Sequence, residues 1–540
     1  MRISKLLSEL RPSIRLLIVA DGRIHFGPSD DGFTLLELLT ILTPEGSHPW
    51  VSLDITTARR DGDPLTCNCT RNDNFRFDGD LFLKGEFDEV WLFGDKDEDD
   101  PPLDDSEVEA VLEFMNKGGG VFATGDHESI GAAMCGKLPR VSSMRKWFFR
   151  QAKSLELKAP GQEDATRLDT LREGLDLGFQ VDDQSDAVPQ EIRPKFFLID
   201  DGKGAKPHPL LEDESGFAIT VLPDHMHEGE CMVPTNLEST FPCKGEQCDE
   251  YPIDSNMNPP ARLAPQVVAI STSASGYMRI IGKSIPPVEP RSFVSMVAYD
   301  GDLVGVGRVA VDSSFHHFID INLRGRGASS PQRRGFFDEH GNPTKDYITF
   351  TKFYNNLVRW LSPKTFRAQM YEVLLADLRF NTFLIEDLRP IPAPSLRDYV
   401  YAGVLTRKAI TERLSDTEAI QCVLSLISGM PAEIRRPVES LINPWLPSSL
   451  TSSALNLLLN ADFFLNAYLG AAMLALTNKL PLDQHEALQT LGKTAVERTS
   501  ALSSIVNSGV GPVSSILARA LQQSSERINS LSQGLSNVAP

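Results

Sequence analysis

Side chains that can bind a metal ion or transfer a proton are concentrated in TVLPDHMHEGEC, residues 220–231. In this segment Asp224, His225, His227 and Glu228 directly follow a short apolar run. Imidazole and carboxylate groups are common ligands of divalent ions such as zinc, manganese and iron. They are also common general acids and bases. The composition favours an active-site loop, although a polar turn rich in histidine would have the same sequence.

Two other segments carry histidine just after an apolar run. Asp126 and His127 follow GVFAT, and His316 and His317 lie shortly after GRVAV. Five of the ten histidines of the chain lie in these three segments. We expect the three segments to meet, because the carboxyl ends of parallel strands converge at one edge of an α/β sheet.

The side chains of these segments suggest a metal-assisted hydrolase. The expected metal ligands are His127, Asp224, His225, His227 and His316. A divalent ion there (zinc, manganese or iron) would lower the pKa of a bound water and supply hydroxide. The expected catalytic residues, acting as general acid, general base or orienting group, are Asp126, Glu228 and His317. A metal-free alternative has Asp126 as a carboxylate nucleophile, with His316 or His317 activating water.

The region around these residues alternates predicted strands and helices. Residues 14–22, 51–58, 87–95 and 120–126 are apolar runs typical of buried parallel strands. Residues 103–120 have an acidic start that can cap a helix, a helical apolar stripe and three glycines that end it. Short strand–helix–strand connections predict right-handed crossovers. The expected fold is therefore α/β, a flavodoxin-like parallel sheet with helices on both faces.

Further strands are predicted later in this region. They are expected at 217–224 and 265–273, and in a hairpin over 291–321 with its turn near Asp300–Asp302.

Two long insertions are expected in the α/β domain. The first covers about 136–215 and mixes basic helical pieces with acidic loops, and the second, about 229–265, reads as a long loop. Ser362–Pro363 follows an amphipathic helix, so the α/β domain is expected to span 1–362.

Residues 363–540 are predicted to form an all-α domain with a flexible tail rich in serine, asparagine and glutamine. From Lys364 onward fifteen Lys or Arg balance fifteen Asp or Glu, so the net charge of −20 lies in the first two thirds of the chain. This acidity argues against nucleic acid and anionic membranes as partners. The apolar stretch 454–476 is long enough to span a bilayer but contains Asp462 and three asparagines, which favours a helix of a soluble domain.

The N-terminal sequence lacks the features of a signal peptide, which predicts a cytoplasmic location and mostly reduced cysteines. Cys67 with Cys69 and Cys243 with Cys248 could form a structural zinc site, but neither pair has the usual C-x2-C spacing. Ordinary loop thiols are the favoured interpretation.

Three stretches resemble the class I glutamine amidotransferase-like superfamily, and most closely its trehalose-utilisation (ThuA-like) branch. They are GGGVFATGDHESIGAA, VGVGRVAVDSSFHHF and FYNNLVRWL, and the resemblance covers about residues 14–362. It implies a sharp elbow at Thr124–Glu128 and a late histidine at position 316 or 317. The elbow has no cysteine, so the resemblance implies a fold and a site location but not the cysteine-based glutaminase reaction.

Two functions follow from the sequence. The first is a metal-assisted hydrolase acting on a small polar or sugar-like substrate. The second is a non-catalytic metabolite-binding or sensor module whose helical domain mediates assembly with another copy of the chain or with a different protein. No Walker loop, Rossmann glycine fingerprint or kinase signature is present in the sequence, so nucleotide dependence is not predicted.

Overall fold

The computed structural model describes most of the chain. The described residues are 9–43, 51–61, 74–151, 154, 157–158, 162–165, 189–198, 205–223, 229–243, 245–255, 260–273, 291–325, 335–380, 382–446 and 460–536. Several residues singled out from the sequence lie outside them, namely Cys67, Cys69, Asp224, His225, His227 and Glu228.

The centre of the N-terminal region is a sheet whose first half is parallel. Its strands are β1 Ser13–Ala20, β2 Ser52–Arg59, β3 Glu89–Phe93 and β4 Gly120–Thr124, in the order β2-β1-β3-β4. Every residue of β3 and β4 is buried, as expected for strands covered on both faces. The predicted α/β fold is confirmed. The strand order reverses between β1 and β3, which is where ligands bind in open α/β sheets.

The second half of the sheet is mostly antiparallel. Its strands are β5 Arg145–Lys146, β6 Gln190–Pro194, β7 Val221–Leu222, β8 Glu230–Cys231, β9 Gln266–Ser273, β10 Arg291–Tyr299 and β11 Val309–Asp312. β11 lies parallel to β4, and β10, β9, β6 and β7 follow in successive antiparallel pairs. The predicted hairpin is β10–β11, with a 3-10 turn at Gly301–Val304. The strand predicted at 217–224 is shorter, since only Val221–Leu222 pair with β6.

The direction of β7 decides which edge of the sheet its end reaches. Four successive antiparallel pairings return β7 to the direction of β4, so Leu222 ends at the same edge as the parallel strands. β7 nevertheless lies five strand positions from β4.

The insertions contain more β structure than the sequence predicts. The expected loop at 229–265 holds two hairpins, Thr240–Cys243 with Glu246–Asp249 and Ile253–Asp254 with Ala261–Arg262. The basic stretch expected to be helical instead contains the 3-10 turn Ser142–Met144 and β5. Strands of two to four residues are too short to show a periodic pattern, which is why the sequence does not reveal them.

Helices cover the two faces of the sheet. They are α1 Leu36–Leu42, α2 Asp80–Leu83, α3 Asp105–Asn116, α4 Ala132–Cys135, α5 Asp320–Arg324 and α6 Lys345–Leu361. α3 begins with a capping box between Asp104 and Glu107, as its acidic start predicts.

The C-terminal region is helical, which confirms the prediction. Its helices are α7 Lys364–Leu378, α8 Thr382–Asp387, α9 Leu396–Thr411, α10 Asp416–Leu426, α11 Ala432–Ile442, α12 Ala461–Lys479, α13 Gln484–Leu491 and α14 Ala495–Ser536. α12, which includes much of the apolar stretch 454–476, is buried continuously from Phe464 to Thr477. By length and composition, Ala495–Ala520 in α14 is the described stretch that is long and apolar enough to cross a membrane.

The two regions share one continuous apolar core. The indole Nε1 of Trp445 donates to the Pro207 carbonyl at 2.9 Å, and the Arg367 guanidinium donates to Asp302. The fold class therefore changes at Ser362–Pro363 within a packed interior, and a separable domain boundary there stays a prediction.

Candidate functional site

Four adjacent strands each place an aspartate at their carboxyl end. Asp21 follows β1, Asp95 follows β3, Asp126 follows β4 and Asp312 ends β11. Neighbouring strands lie about 5 Å apart. These carboxylates therefore line one edge of the sheet, which is the edge expected to hold the site.

A tight turn after β4 presents Asp126. The Asp126 N–H donates to the Ile130 carbonyl at 3.0 Å, and a Cβ at Gly125 would overlap that same oxygen. Glu128 has a φ of 54°, a strained value for a non-glycine residue, and its carboxylate accepts from Arg150 at 2.8 Å. Strained backbone of this kind clusters at functional sites.

The Asp126 carboxylate is the centre of a buried polar cluster. Its Oδ1 accepts from the Ser314 hydroxyl at 2.9 Å. Its Oδ2 lies 3.0 Å from His127 Nδ1 and 3.7 Å from His316 Nε2. His316 Nδ1 lies 2.8 Å from Asn322 Oδ1. An amide oxygen only accepts, so Nδ1 of His316 carries a proton and Nε2 is the nitrogen that gains or loses one beside Asp126.

A short turn after β11 delivers Ser314 and His316 to this cluster. The Ser314 N–H donates to Asp312 Oδ1 at 2.9 Å, and the Ser314 hydroxyl accepts from the His316 N–H at 3.2 Å. Ser314 thereby caps the 3-10 helix Phe315–His317 while it donates to Asp126. Ser314 is not among the residues predicted from the sequence, although serine is a common N-cap residue.

His317 has different surroundings from His316. Its Nδ1 lies 2.7 Å from Asp312 Oδ1 and its Nε2 lies 3.4 Å from Gln190 Oε1. Its carbonyl accepts from the Tyr354 hydroxyl at 2.6 Å. Neighbours in a 3-10 helix point about 120° apart. The contacts of His317 thus lie at the end of β11, and the catalytic role predicted for it stays a prediction.

Arg145 fixes the two loops that form the cluster. It is fully buried, and it donates to the carbonyls of Asp126 at 2.8 Å, Ser313 at 3.0 Å and Asp312 at 2.5 Å. Its guanidinium lies 4.8 Å from the centre of the Trp147 ring. Among the described residues it has no carboxylate partner. No sequence signal marks this role, because a single arginine in a two-residue strand fits no periodic pattern.

Gly229, in the histidine-rich segment 220–231, lies beside the Asp126 cluster. Its N–H donates to the Ser313 carbonyl at 3.2 Å, and a Cβ there would lie 2.6 Å from the Asp126 carbonyl oxygen. Gly229 directly follows residues 224–228, which lie outside the described residues. The predicted contact of His225 and His227 with His127 therefore stays a prediction.

Arg23 and Phe33 border the cluster. Phe33 packs edge-on against His316, with ring centres 5.7 Å apart, and the Arg23 guanidinium lies 4.4 Å from the Phe33 ring centre. Arg23 binds Asp95 at 2.6 Å. The pKa of Arg23 is raised mainly by its hydrogen bond to Asp95 and also by the negative charge of Asp126. A half-exposed cation thus faces the buried carboxylate.

Asp21 is a buried acid at the reversal of the strand order. Burial raises its pKa to about 7, even though its Oδ1 accepts from the N–H groups of Asp95 at 2.6 Å and Lys96 at 3.1 Å. Near neutral pH this carboxyl is therefore only partly ionised.

The described residues supply donors for a metal ion but no complete site. Asp126, His127 and His316 have the right chemistry for a divalent ion. Among the described residues, however, no group of three or more His, Cys, Asp or Glu side chains has an arrangement that could hold one.

Cys135, the cysteine nearest to the elbow in sequence, does not supply a nucleophile there. Cys135 lies in α4, and burial raises the pKa of its thiol to about 12, so the reactive thiolate does not form near neutral pH. Cys243 and Cys248 are joined by a disulfide across a hairpin, with Cα atoms 5.8 Å apart. This pair differs from the expected free thiols because antiparallel pairing places the two residues within bonding distance.

The comparisons with known proteins give no family for this chain. No protein-family model matches it, and no curated protein matches its sequence.

Proposed function

We propose that this protein is a hydrolase acting on a small polar or sugar-like substrate at the carboxyl ends of β4 and β11. One observation carries the proposal: the buried Asp126 carboxylate contacts imidazole nitrogens of His127 and His316 and accepts a hydrogen bond from Ser314. A carboxylate that contacts two imidazoles stabilises the protonated form of either one.

The proposed mechanism divides proton transfer between the two imidazoles. His316, oriented by Asn322, takes a proton from the attacking water through Nε2. His127 donates a proton to the leaving group. Asp126 stabilises the His127 imidazolium before this step and the His316 imidazolium after it, while Ser314 holds the carboxylate in place. Between turnovers solvent takes the proton from His316 and returns one to His127. Burial excludes bulk water and strengthens these interactions.

A divalent metal ion is part of this proposal. Such an ion would be held by Asp224, His225 and His227, which lie outside the described residues, because His127 and His316 cannot transfer protons and coordinate a metal through the same nitrogen. When bound, such an ion would lower the pKa of a coordinated water.

Membership of the glutamine amidotransferase-like superfamily is also our proposal. It is supported by the order β2-β1-β3-β4 with β11 beside β4 and by the strained turn at Glu128. Fold likeness does not fix the reaction.

The test combines metal analysis with turnover of substrate classes. The purified full chain would be assayed on p-nitrophenyl acetate, p-nitrophenyl phosphate and p-nitrophenyl glycosides, with and without added zinc, manganese or ferrous iron. We expect turnover of at least one class, reduced about 10²–10⁴-fold in Asp126→Asn and His316→Asn. His340→Asn is the matched control, because the His340 side chain is exposed and lies beside Glu339.

Two outcomes would count against the hydrolase. If Asp126→Asn retained full turnover, Asp126 would not be catalytic. If a metabolite bound tightly without being converted on any addition of metal, the non-catalytic binding or sensor module would replace the hydrolase.

A further inference from the structure

A cavity lies on the α3 side of the sheet. It has a volume of about 500 Å³ and lies between the first turn of α3, the segment 136–142 and the hairpin that begins at Thr240. Its apolar walls are Val108, Leu138, Leu157 and Phe241. Ligand sites are typically about 300–1,000 Å³ and mostly apolar with a few placed polar groups.

Glu250 is the polar group that distinguishes this cavity. It lines the cavity and is 4% exposed. Its Oε1 accepts from the Arg140 N–H at 2.7 Å and from the Ser143 hydroxyl at 2.6 Å. Its Oε2 accepts no hydrogen bond from any described residue. The pKa of Glu250 is raised, chiefly by burial. A buried carboxylate with one satisfied oxygen gains free energy from a partner at the other.

Three cations lie near Glu250, and two of them are paired with other carboxylates. The third, Arg140, lowers the pKa of Glu250 that burial raises, and its Nη1 has no hydrogen-bond partner among the described residues. The Arg140 Nε donates to the Glu250 carbonyl rather than to its carboxylate, and Arg140 Nη2 donates to Asn116 Oδ1. Lys137 pairs with Asp105 at 3.2 Å, and Lys158 pairs with Asp164 at 2.8 Å.

We propose that this cavity binds a small amphipathic cation, with an ammonium or guanidinium group at Glu250 Oε2 and an apolar body against Val108, Leu138 and Phe241. Charge-assisted hydrogen bonds in a dehydrated site are among the stronger polar contacts. The site uses none of the side chains of the Asp126 cluster, so it stands independently of the proposed hydrolase.

The test measures binding of three probes of one shape and different charge to the full chain. Phenethylamine, 2-phenylethanol and phenylacetate would be titrated by calorimetry or by ligand-observed NMR. We expect saturable binding of the amine at least about tenfold tighter than of the alcohol, with the acid weakest; tenfold corresponds to about 1.4 kcal/mol.

Three kinds of variant test whether the preference for the amine arises in this cavity. Glu250→Gln keeps an acceptor for Arg140 and Ser143 but removes the charge, so the preference for the amine should disappear. Leu138→Trp should fill the cavity and abolish binding of all three probes. Glu113→Gln, on α3 but outside the cavity lining, and Asp126→Asn should bind as the wild type does.

Even if Glu250→Gln fails to fold, the affinities of the three probes for the wild-type protein can refute the proposal. Equal affinity for the amine and the alcohol would overturn it, and so would the absence of amine binding. A preference that survives in Glu250→Gln or in Leu138→Trp would place the amine elsewhere on the protein.

Discussion

The α/β region and the helical region differ in what they bury. At the carboxyl edge of the sheet Asp21, Asp126, Arg145 and Asp312 are all almost completely inaccessible to solvent. In the helical region α12 is buried along most of its length by apolar side chains and glycine, and it packs mainly against α9 and α14. Gly403 of α9 and Gly470 of α12 let the two backbones approach, since a Cβ at either position would overlap a carbonyl oxygen of the other helix.

The two regions depend on different interactions for their stability. Burying a charge costs free energy unless hydrogen bonds replace its water, so the stability of the sheet edge depends on the hydrogen bonds that its buried charged groups make. Close helix packing instead stabilises the fold through dispersion contacts and burial. We therefore expect different kinds of substitution to destabilise the two regions.

The largest effect is expected from Arg145→Met. The change leaves the carbonyls of Asp126, Ser313 and Asp312 without this donor, so the free energy of unfolding should fall by about 3–5 kcal/mol. Chemical denaturation checks it. Arg145→Lys retains the charge but not the three-way geometry and should lose less. If both variants were as stable as the wild type, the sheet edge would not depend on this buried cation.

Gly403→Ala should give the next largest effect. The new methyl group overlaps the Asn466 carbonyl, and overpacking of this kind costs about 1–3 kcal/mol. Gly511→Ala is the matched control, because no atom lies within 4 Å of its Cβ position. That exposed helical site should gain about 0.5–1 kcal/mol. Thermal unfolding of the two variants should therefore shift in opposite directions, and shifts of the same sign would contradict the packing argument.

A pH-dependent effect is expected from Asp21→Asn. Between its ordinary value of 3.8 and its folded pKa of about 7, native Asp21 keeps a proton that the unfolded chain has lost. Its contribution to stability is therefore full below pH 3.8 and is lost as the pH rises towards 7. Asn cannot titrate, so the difference in unfolding free energy between wild type and variant should fall by up to about 1.4 kcal/mol per pH unit in this window. A difference that is constant with pH would mean that Asp21 is ionised throughout.

Long elements could be predicted from the sequence because their signals are local. The continuous apolar runs identified β1, β3 and β4, and the acidic start and terminal glycines identified α3. The turn near Asp300–Asp302 was also predictable, since it separates two apolar runs. Short strands such as β5 and β7 were missed or overextended, because two residues cannot show an alternation.

The sequence by itself determined the α/β region, the helical region and the edge of the sheet where histidine and aspartate collect. Only the tertiary structure decided which of two adjacent histidines contacts Asp126, because a 3-10 turn directs His316 and His317 to different carboxylates. It also decided that Arg145 joins two loops far apart in sequence and that Asp21 has a raised pKa. These properties depend on distance and burial, and neither is encoded in the spacing of residues along the chain.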